Sequence, residues 1–482
     1  MNKIIEIINN KNKLISFICF VIWGLLVLKF ATLDQYNTDE LWAWDIAADL
    51  NFYDITRLMH YEGHSFLWYL VLKPFTFLAT FFPNIYPDAL KIINLVIISS
   101  AMFLLWFFSP INLPVKILIS VTSPFLIVYP SLARPYSLLI LILFVIAILY
   151  KNRLKHPLIY SCLLLLCAHT GINGVIATTI FGAFFIYDLY IEQKDNLKTE
   201  KFILPCSIIL SAYLMLLIEW VPVYPALYVQ YCIHLERLKE FFFHTSYSKL
   251  STLICLLVYG PIAQVALWIN IINLKTKRYL IYLLFVINSL LIFYLLIGPA
   301  WNYHLYFLYI YIIVLYWIMK DNCGEFCQNK PAYISATIFL ALLSLIYIAP
   351  FREPAFWFAP KEQYKNAAEK ILEIVPKKSR IYINLEFAQD LIPYLKGKYE
   401  LRNHYGDKIP SLEAYKNLYQ YLFVRPEDIY IAPKKYNYYI VSKGYCLVRK
   451  ELNAQEIWDI FENNPNCQDI HDAYYLCELK KE

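Results

Sequence analysis

"SFLWYLVLKPFTFLATFF", residues 65–82, is apolar enough for a membrane span, yet it carries Lys73-Pro74 near its centre. A charge beside a helix breaker is unfavourable in lipid. Whether this stretch crosses decides the side on which every later loop falls. The rest of the chain is strongly apolar: 59% of its 482 residues are hydrophobic, 17% are charged, and the mean hydropathy is +0.47. These are not the values of a soluble enzyme. Runs of the length that a hydrocarbon core of ~30 Å requires of a helix fall at 14–31, 89–108, 114–131, 136–150, 157–169, 172–190, 202–221, 250–270, 279–298, 302–319 and 332–350.

Cationic loop residues settle the topology that the sequence favours. If 65–82 does not cross, one side of the membrane collects 15 Lys and Arg, among them Lys13, Lys151, Arg153, Lys277 and Arg278. The other side has 8: Lys29, Arg57, Lys73, Lys91, Arg134, Arg237, Lys239 and Lys249. A full crossing by 65–82 reverses the bias, against the positive-inside rule. The expected fold is therefore a polytopic α-helical membrane domain over residues 1–351. It has about eleven spans, a re-entrant or interfacial helix at 65–82 and a cytoplasmic N-terminus. The first run lacks a small-residue cleavage site and reads as a retained anchor.

From residue 352 onward the composition changes, and residues 352–482 read as a soluble α/β domain on the outer face. "KEQYKNAAEKILEIV" (361–375) and "NAQEIWDIF" (453–461) have helical periodicity. "RIYINL", "DIYIAP", "YYIVSKG" and "YCLVRK" read as strands. The domain has 20 Lys and Arg against 19 Asp and Glu, with no basic patch suited to nucleic acid. Cys446, Cys467 and Cys477 share it, which allows one disulfide. No P-loop or GxGxxG cradle for nucleotide phosphates is present.

This topology gathers polar residues at the outer ends of spans. "YNTDELWAWD" (36–45) supplies Asp39 and Glu40, and "HYEGHSFLWY" (60–69) supplies His60, Glu62 and His64. "ARPYS" carries Arg134 and Tyr136, "HTGIN" carries His169 and Asn173, and "GPAWNYH" carries Asn302 and His304. Singly, each has an ordinary explanation: a solvated acid, a snorkelling arginine or a packed histidine. Asp45 reads as a solvated helix-surface residue, and Trp42 and Trp44 as interfacial belt residues. His60, Glu62 and His64 could hold a divalent cation, but only in an extended or turn conformation. Collected on one face, ionisable groups at a membrane boundary favour a functional role.

An acid-bearing outer loop directly after the first span, then "EGHSFLWYLVLKPF" (62–75) and "SLARPYSLLILILFVIAILY" (131–150), resembles the GT-C superfamily. The pattern is closest to the bacterial relatives of the protein O-mannosyltransferases and of the lipid A aminoarabinose transferase. "NYHLYFLYIYIIVLYWI" (302–318) resembles a later stretch of such proteins in which an Arg often precedes the His; here Asn302-Tyr303 stand there. The resemblance covers most of residues 14–350. It implies inverting transfer of a sugar from a polyprenyl-phosphate donor on the outer face of a bacterial plasma membrane. The acceptor would be a lipid, glycan or protein. On that expectation Asp39 is the general base, with Glu40 sharing the role or orienting a hydroxyl. Arg134, Tyr136 and His304 meet the donor phosphate. His60, Glu62, His64, His169 and Asn302 position substrate. In members of the superfamily that use a divalent cation, His60, Glu62 and His64 would be the residues to hold it.

Two other classes share the composition. A transporter or flippase of lipid-linked glycans would show repeats with broken helices in matching halves, and no repeat is visible. A polysaccharide ligase or polymerase would rely on a large late outer loop, and 222–249 supplies Arg237, Lys239 and His244. The sequence leaves the sugar and the acceptor open.

Overall fold

The computed structural model describes residues 2–33, 38–60, 65–79, 81–82, 88–193, 200–220, 286, 302–322, 330–348, 363–383, 391–402, 408–409, 411, 438–442, 467–470 and 474–478. In chain order the helices are α1 (Asn2–Leu33), α2 (Thr38–Asp49), α3 (Phe52–Leu58), α4 (Leu67–Ala79), α5 (Asp88–Phe108), α6 (Leu113–Ser120), α7 (Tyr129–Ser131), α8 (Pro135–Leu149), α9 (Pro157–Ala168), α10 (Ile172–Gln193), α11 (Glu200–Trp220), α12 (Asn302–Asn322), α13 (Lys330–Ile346), α14 (Gln363–Ile374) and α15 (Ile392–Leu395). The chain divides into two compact units. One is Met1–Thr32, Gly63–Leu67 and Lys91–Trp357; the other is Leu33–Glu62, Trp68–Leu90 and Phe358–Glu482.

The first unit is a helical membrane-type assembly. Among the described residues five helices are long and apolar enough to cross a bilayer: Lys13–Ala31, Asp88–Phe108, Pro135–Asn152, Ile172–Gln193 and Glu200–Glu219. They match the apolar runs at 14–31, 89–108, 136–150, 172–190 and 202–221. Two further runs form shorter apolar helices, α9 and α13, and the run at 302–319 forms α12 (Asn302–Asn322). Helix α9 has 12 residues, a rise of about 18 Å, which is short of the hydrocarbon thickness. The runs at 250–270 and 279–298 lie outside the described residues.

Helix α12 forms the centre of the unit. Every residue from Tyr306 to Met319 is buried, as a helix apolar on all faces must be. Its tyrosine hydroxyls find partners there: Tyr309 with Ser344 Oγ at 2.7 Å, Tyr316 with Thr337 Oγ1 at 2.7 Å, and Tyr311 with the Asn173 carbonyl. The outer surface is apolar, with Leu25, Val96, Leu217 and Ile338 all exposed. A soluble protein rarely presents so much apolar surface; a lipid-facing one does so by design.

The run at 114–131 is not one continuous helix, contrary to the sequence expectation. Helix α6 stops at Ser120, a π-helical turn follows at Pro124–Val128, and a single turn, α7, closes at Ser131. Pro124 and Pro130 lack the N–H that a continuing helix needs. Pro135 then forces Arg134 into extended backbone (φ −125°, ψ 173°) and opens α8 at its first position. Such a break strands carbonyls in an apolar interior, and each must find a donor. Trp23 Nε1 donates to the Phe125 carbonyl at 3.2 Å, Asn94 Nδ2 to those of Tyr129 and Pro130 at 2.8 and 2.9 Å, and Ser137 Oγ to that of Tyr129 at 2.9 Å. Lys91 Nζ donates to the Ser131 carbonyl. Lys116 treats the end of α5 in the same way, reaching Trp106 O at 2.8 Å and Ser109 O at 3.0 Å.

The second unit holds α2, α3, α4 and a mixed sheet. The strands are β1 (Arg380–Ile383), β2 (Glu400–Arg402), β3 (Lys408–Ile409), β4 (Tyr438–Ser442), β5 (Cys467–Ile470) and β6 (Tyr474–Glu478), in spatial order β3-β2-β1-β4-β6-β5. The central β2-β1-β4 strands are parallel and the outer pairings antiparallel. "RIYINL", "YYIVSKG" and the helix in "KEQYKNAAEKILEIV" are found as expected; "DIYIAP", "YCLVRK", "NAQEIWDIF" and Cys446 lie outside the described residues. Cys467 and Cys477 sit opposite each other on β5 and β6 and form a disulfide.

The Lys73-Pro74 stretch forms α4. It has 13 residues and rises only about 20 Å, too short to span as a straight helix. Lys73 has a purpose here: its Nζ lies 2.6 Å from the Leu50 carbonyl and 3.5 Å from that of Ala48, at the C-terminal end of α2. A cation is favoured there, where the final carbonyls have no helical partner.

Replacing Asn94 by Leu keeps the branched heavy-atom shape and removes the amide that donates to both carbonyls of the break. The expected loss is about 1–3 kcal/mol of stability, read as a lower thermal midpoint of the full chain in detergent. An unchanged midpoint would show that the carbonyls at 129 and 130 need no partner.

Candidate functional site

Within the helical unit the break delivers Arg134 to the head of α8. Pro135 excludes the helical conformation at Arg134, so its guanidinium is set by that extended residue and is buried, with only 5% exposed. Tyr136, one turn position on, is also buried. Its ring meets the His304 imidazole edge-on, with centroids 5.5 Å apart and planes at 90°. The guanidinium lies close enough to His304 to act on it electrostatically. Arg134, Tyr136 and His304 therefore share one locus, joining three of the predicted residues from two sequence segments. Asn302 opens α12 two residues before His304, and its side chain lies outside the described residues.

A second cluster in the same unit forms around the turn "HTGIN". Gly171 takes φ 127°, and Thr170 Oγ1 donates to the Cys167 carbonyl at 2.7 Å. Gly174 lets α10 start against the end of α9: a Cβ there would come within 1.9 Å of the Cys167 carbonyl oxygen. This tight reversal buries His169 and Asn173. Ser65 Oγ lies 2.9 Å from His169 Nδ1 and donates to Glu219 Oε2 at 2.5 Å. Glu219 Oε1 is 3.2 Å from the same Nδ1. Among the described residues, His169 Nε2, Asn173 Oδ1 and Glu219 Oε1 have no hydrogen-bond partner. This is not a serine-nucleophile triad, because serine and carboxylate both meet Nδ1 instead of opposite ring nitrogens.

In the other unit the acid loop is helical. Asp39 and Glu40 occupy the first turn of α2, Asp39 exposed and Glu40 buried. Trp42 and Trp44 are buried, not spread on an interface. Asp45 is a correction to the sequence expectation: it is 2% exposed, not solvated. Lys396, just after α15, pairs with Asp49 and stands 3.8 Å from Asp45. Burial pushes the Asp45 carboxyl up to about 7, Lys396 pulls it down and Asp49 pushes it up again. His60 follows α3 and is half-buried. Glu62 and His64 lie outside the described residues, so the possible cation site at His60, Glu62 and His64 is not tested; among the described residues no three His, Cys, Asp or Glu side chains converge.

Sequence reasoning missed Ser65, Glu219, Lys91 and Asn94. Glu219 had a signal: it is a lone carboxylate closing the apolar run "YLMLLIEW". Ser65 and Asn94 had none, since only their partners across space distinguish them. No protein-family model matches the chain, and no curated protein matches it either.

A carboxyl raised from 3.8 to about 7 on folding makes the folded state bind the extra proton between those values. Its contribution is full below pH about 4 and is lost as pH rises through about 7, at most about 4 kcal/mol in total. The parent chain should thus lose stability relative to Asp45→Asn over that window in pH-dependent unfolding. A constant difference between the two proteins would contradict it.

Proposed function

We propose that the chain is an integral-membrane glycosyltransferase that moves a sugar from a polyprenyl-phosphate donor to a cell-envelope acceptor on the outer face. The observation that supports it most is the Arg134 locus. A helix break in a largely apolar unit holds a buried guanidinium beside a tyrosine and a histidine. A lipid-linked phosphate needs such a place, with cation and donors presented within an apolar surround.

The reaction follows from that assignment. The acceptor hydroxyl attacks the anomeric carbon; a new C–O bond forms as the bond to the phosphate oxygen breaks. Polyprenyl phosphate leaves with the electron pair, and its charge is met by Arg134, with Tyr136 and His304 as donors. The hydroxyl proton passes to the Asp39 carboxylate, exposed at the start of α2 and open to an acceptor arriving from solvent. Attack opposite the phosphate inverts the anomeric centre. Glu40, His60, Glu62, His64, His169 and Asn302 are assigned to substrate positioning, with a divalent cation at His60, Glu62 and His64 as an option.

The membrane arrangement belongs to the same proposal: about eleven spans, α4 as a re-entrant or interfacial element, and residues 352–482 outside. The Cys467–Cys477 disulfide favours an oxidising compartment for that domain.

Comparing the surface glycolipids of a deletion strain with its parent by mass spectrometry tests the reading, because a missing mass identifies sugar and acceptor together. In complementation, Asp39→Asn should lower transfer by about 10²–10⁴-fold while the protein stays folded and inserted. Full activity in that variant would sink the assignment. Arg134→Ala should raise the donor KM, and an unchanged KM would remove the phosphate role.

A further inference from the structure

We propose that Ser65, His169 and Glu219 form a hydroxyl-binding site in which Nε2 of His169 accepts a hydrogen bond from the sugar or the acceptor. The ligand's identity rests on the glycosyltransferase reading; the geometry does not. The serine hydroxyl has one hydrogen, and it goes to Glu219 Oε2 at 2.5 Å. At the 2.9 Å contact with His169, Ser65 Oγ must therefore accept, so Nδ1 carries a hydrogen. Glu219 Oε1 lies 3.2 Å from the same nitrogen without a hydrogen bond to it, so the carboxylate acts on the ring through Ser65 and through space. In a neutral imidazole so arranged, the second nitrogen offers a lone pair. A backing carboxylate strengthens that lone pair, as second-shell partners do for liganding histidines.

The nitrogen so prepared is left unused. His169 is 1% exposed, and among the described residues Nε2 has no partner. Buried polar atoms are ordinarily paired, so an orphan on a ring this carefully oriented calls for an occupant. Asn173 Oδ1, on the same turn, is a second buried acceptor without a partner. Two unfilled acceptors on one turn call for a ligand that brings O–H donors, which is the chemistry of a sugar or polyol. A purely structural tie of Ser65 to Glu219 would need only Nδ1 and could be made by an amide. Ser65 and Glu219 are thus positioning residues, and His169 is the group that meets the ligand.

His169→Asn separates these roles, since its amide N–H can replace Nδ1–H while nothing stands where Nε2 was. In the complemented deletion strain the variant should keep the parental thermal midpoint and lose on the order of tenfold or more of the glycolipid product. Parental yield from His169→Asn would overturn the proposal. If the parent chain itself restores no glycolipid, the transfer reading fails alone, and the site is judged by diethyl pyrocarbonate on the unmodified full chain in its membranes. Peptide mass spectrometry should then find His169 carbethoxylated in the folded protein, and several-fold more slowly in Glu219→Gln. A His169 that reacts only after denaturation would overturn the site, because its nitrogen would be sealed from any ligand.

Discussion

Backbone carbonyls at broken helix ends cannot be left bare in an apolar interior, and this chain meets them with lysines, Lys91 and Lys116 buried and Lys73 partly so. Lys91 serves the end of α7, Lys116 the end of α5 and Lys73 the end of α2. Each combines a hydrogen bond with the favourable placement of a cation at the negative end of a helix. The arrangement makes an interrupted helix affordable where a Pro-rich stretch would otherwise be excluded. It also explains why "SFLWYLVLKPF" carries a charge at its centre: Lys73 is directed to α2, not to lipid. These lysines are structural ligands of the backbone, so they are poor reporters of which side a loop is on. Setting them aside deepens the cationic asymmetry on which the topology was argued.

The break that these contacts hold open is what presents Arg134. A continuous helix through 114–150 would have turned Arg134 and Tyr136 to nearly opposite faces, with their backbone groups paired internally. The two prolines and the extended residue between α7 and α8 instead place a guanidinium at a helix start, beside Tyr136 and His304. Structure and candidate chemistry thus have a common cause in local backbone geometry.

The C-terminal domain has a comparable link to the acid-bearing helix. Lys396 reaches Asp49 and Asp45 on α2, so the sheet domain and the helix that carries Asp39 belong to one compact unit. The composition change near residue 352 marks a real shift from apolar helices to an α/β sheet. It does not mark the edge of the compact unit, which also takes in residues 33–62 and 68–90. A boundary read from composition follows the chain, whereas a compact unit follows contacts between distant segments.

Much of the helical framework was legible because long apolar runs have one dominant solution in lipid. Five of the expected spans, the amphipathic helix at 363–374 and strands β1 and β4 follow directly from periodicity and composition. The reversal at Arg134-Pro135 was also open to reading, since proline restricts its predecessor whatever surrounds it. The division of 114–131 into α6, a π-turn and α7 was less so, because hydropathy does not register where backbone hydrogen bonds fail. Residue type and local order could nominate Asp39, Arg134, Tyr136, His169 and His304. Only tertiary structure could bury Asp45 against Lys396, join Ser65 to Glu219 and His169, and leave Nε2 unpaired. Those outcomes depend on atoms 104 to 351 residues apart in the chain meeting within hydrogen-bonding or ion-pair distance, and local propensity carries no information about such meetings.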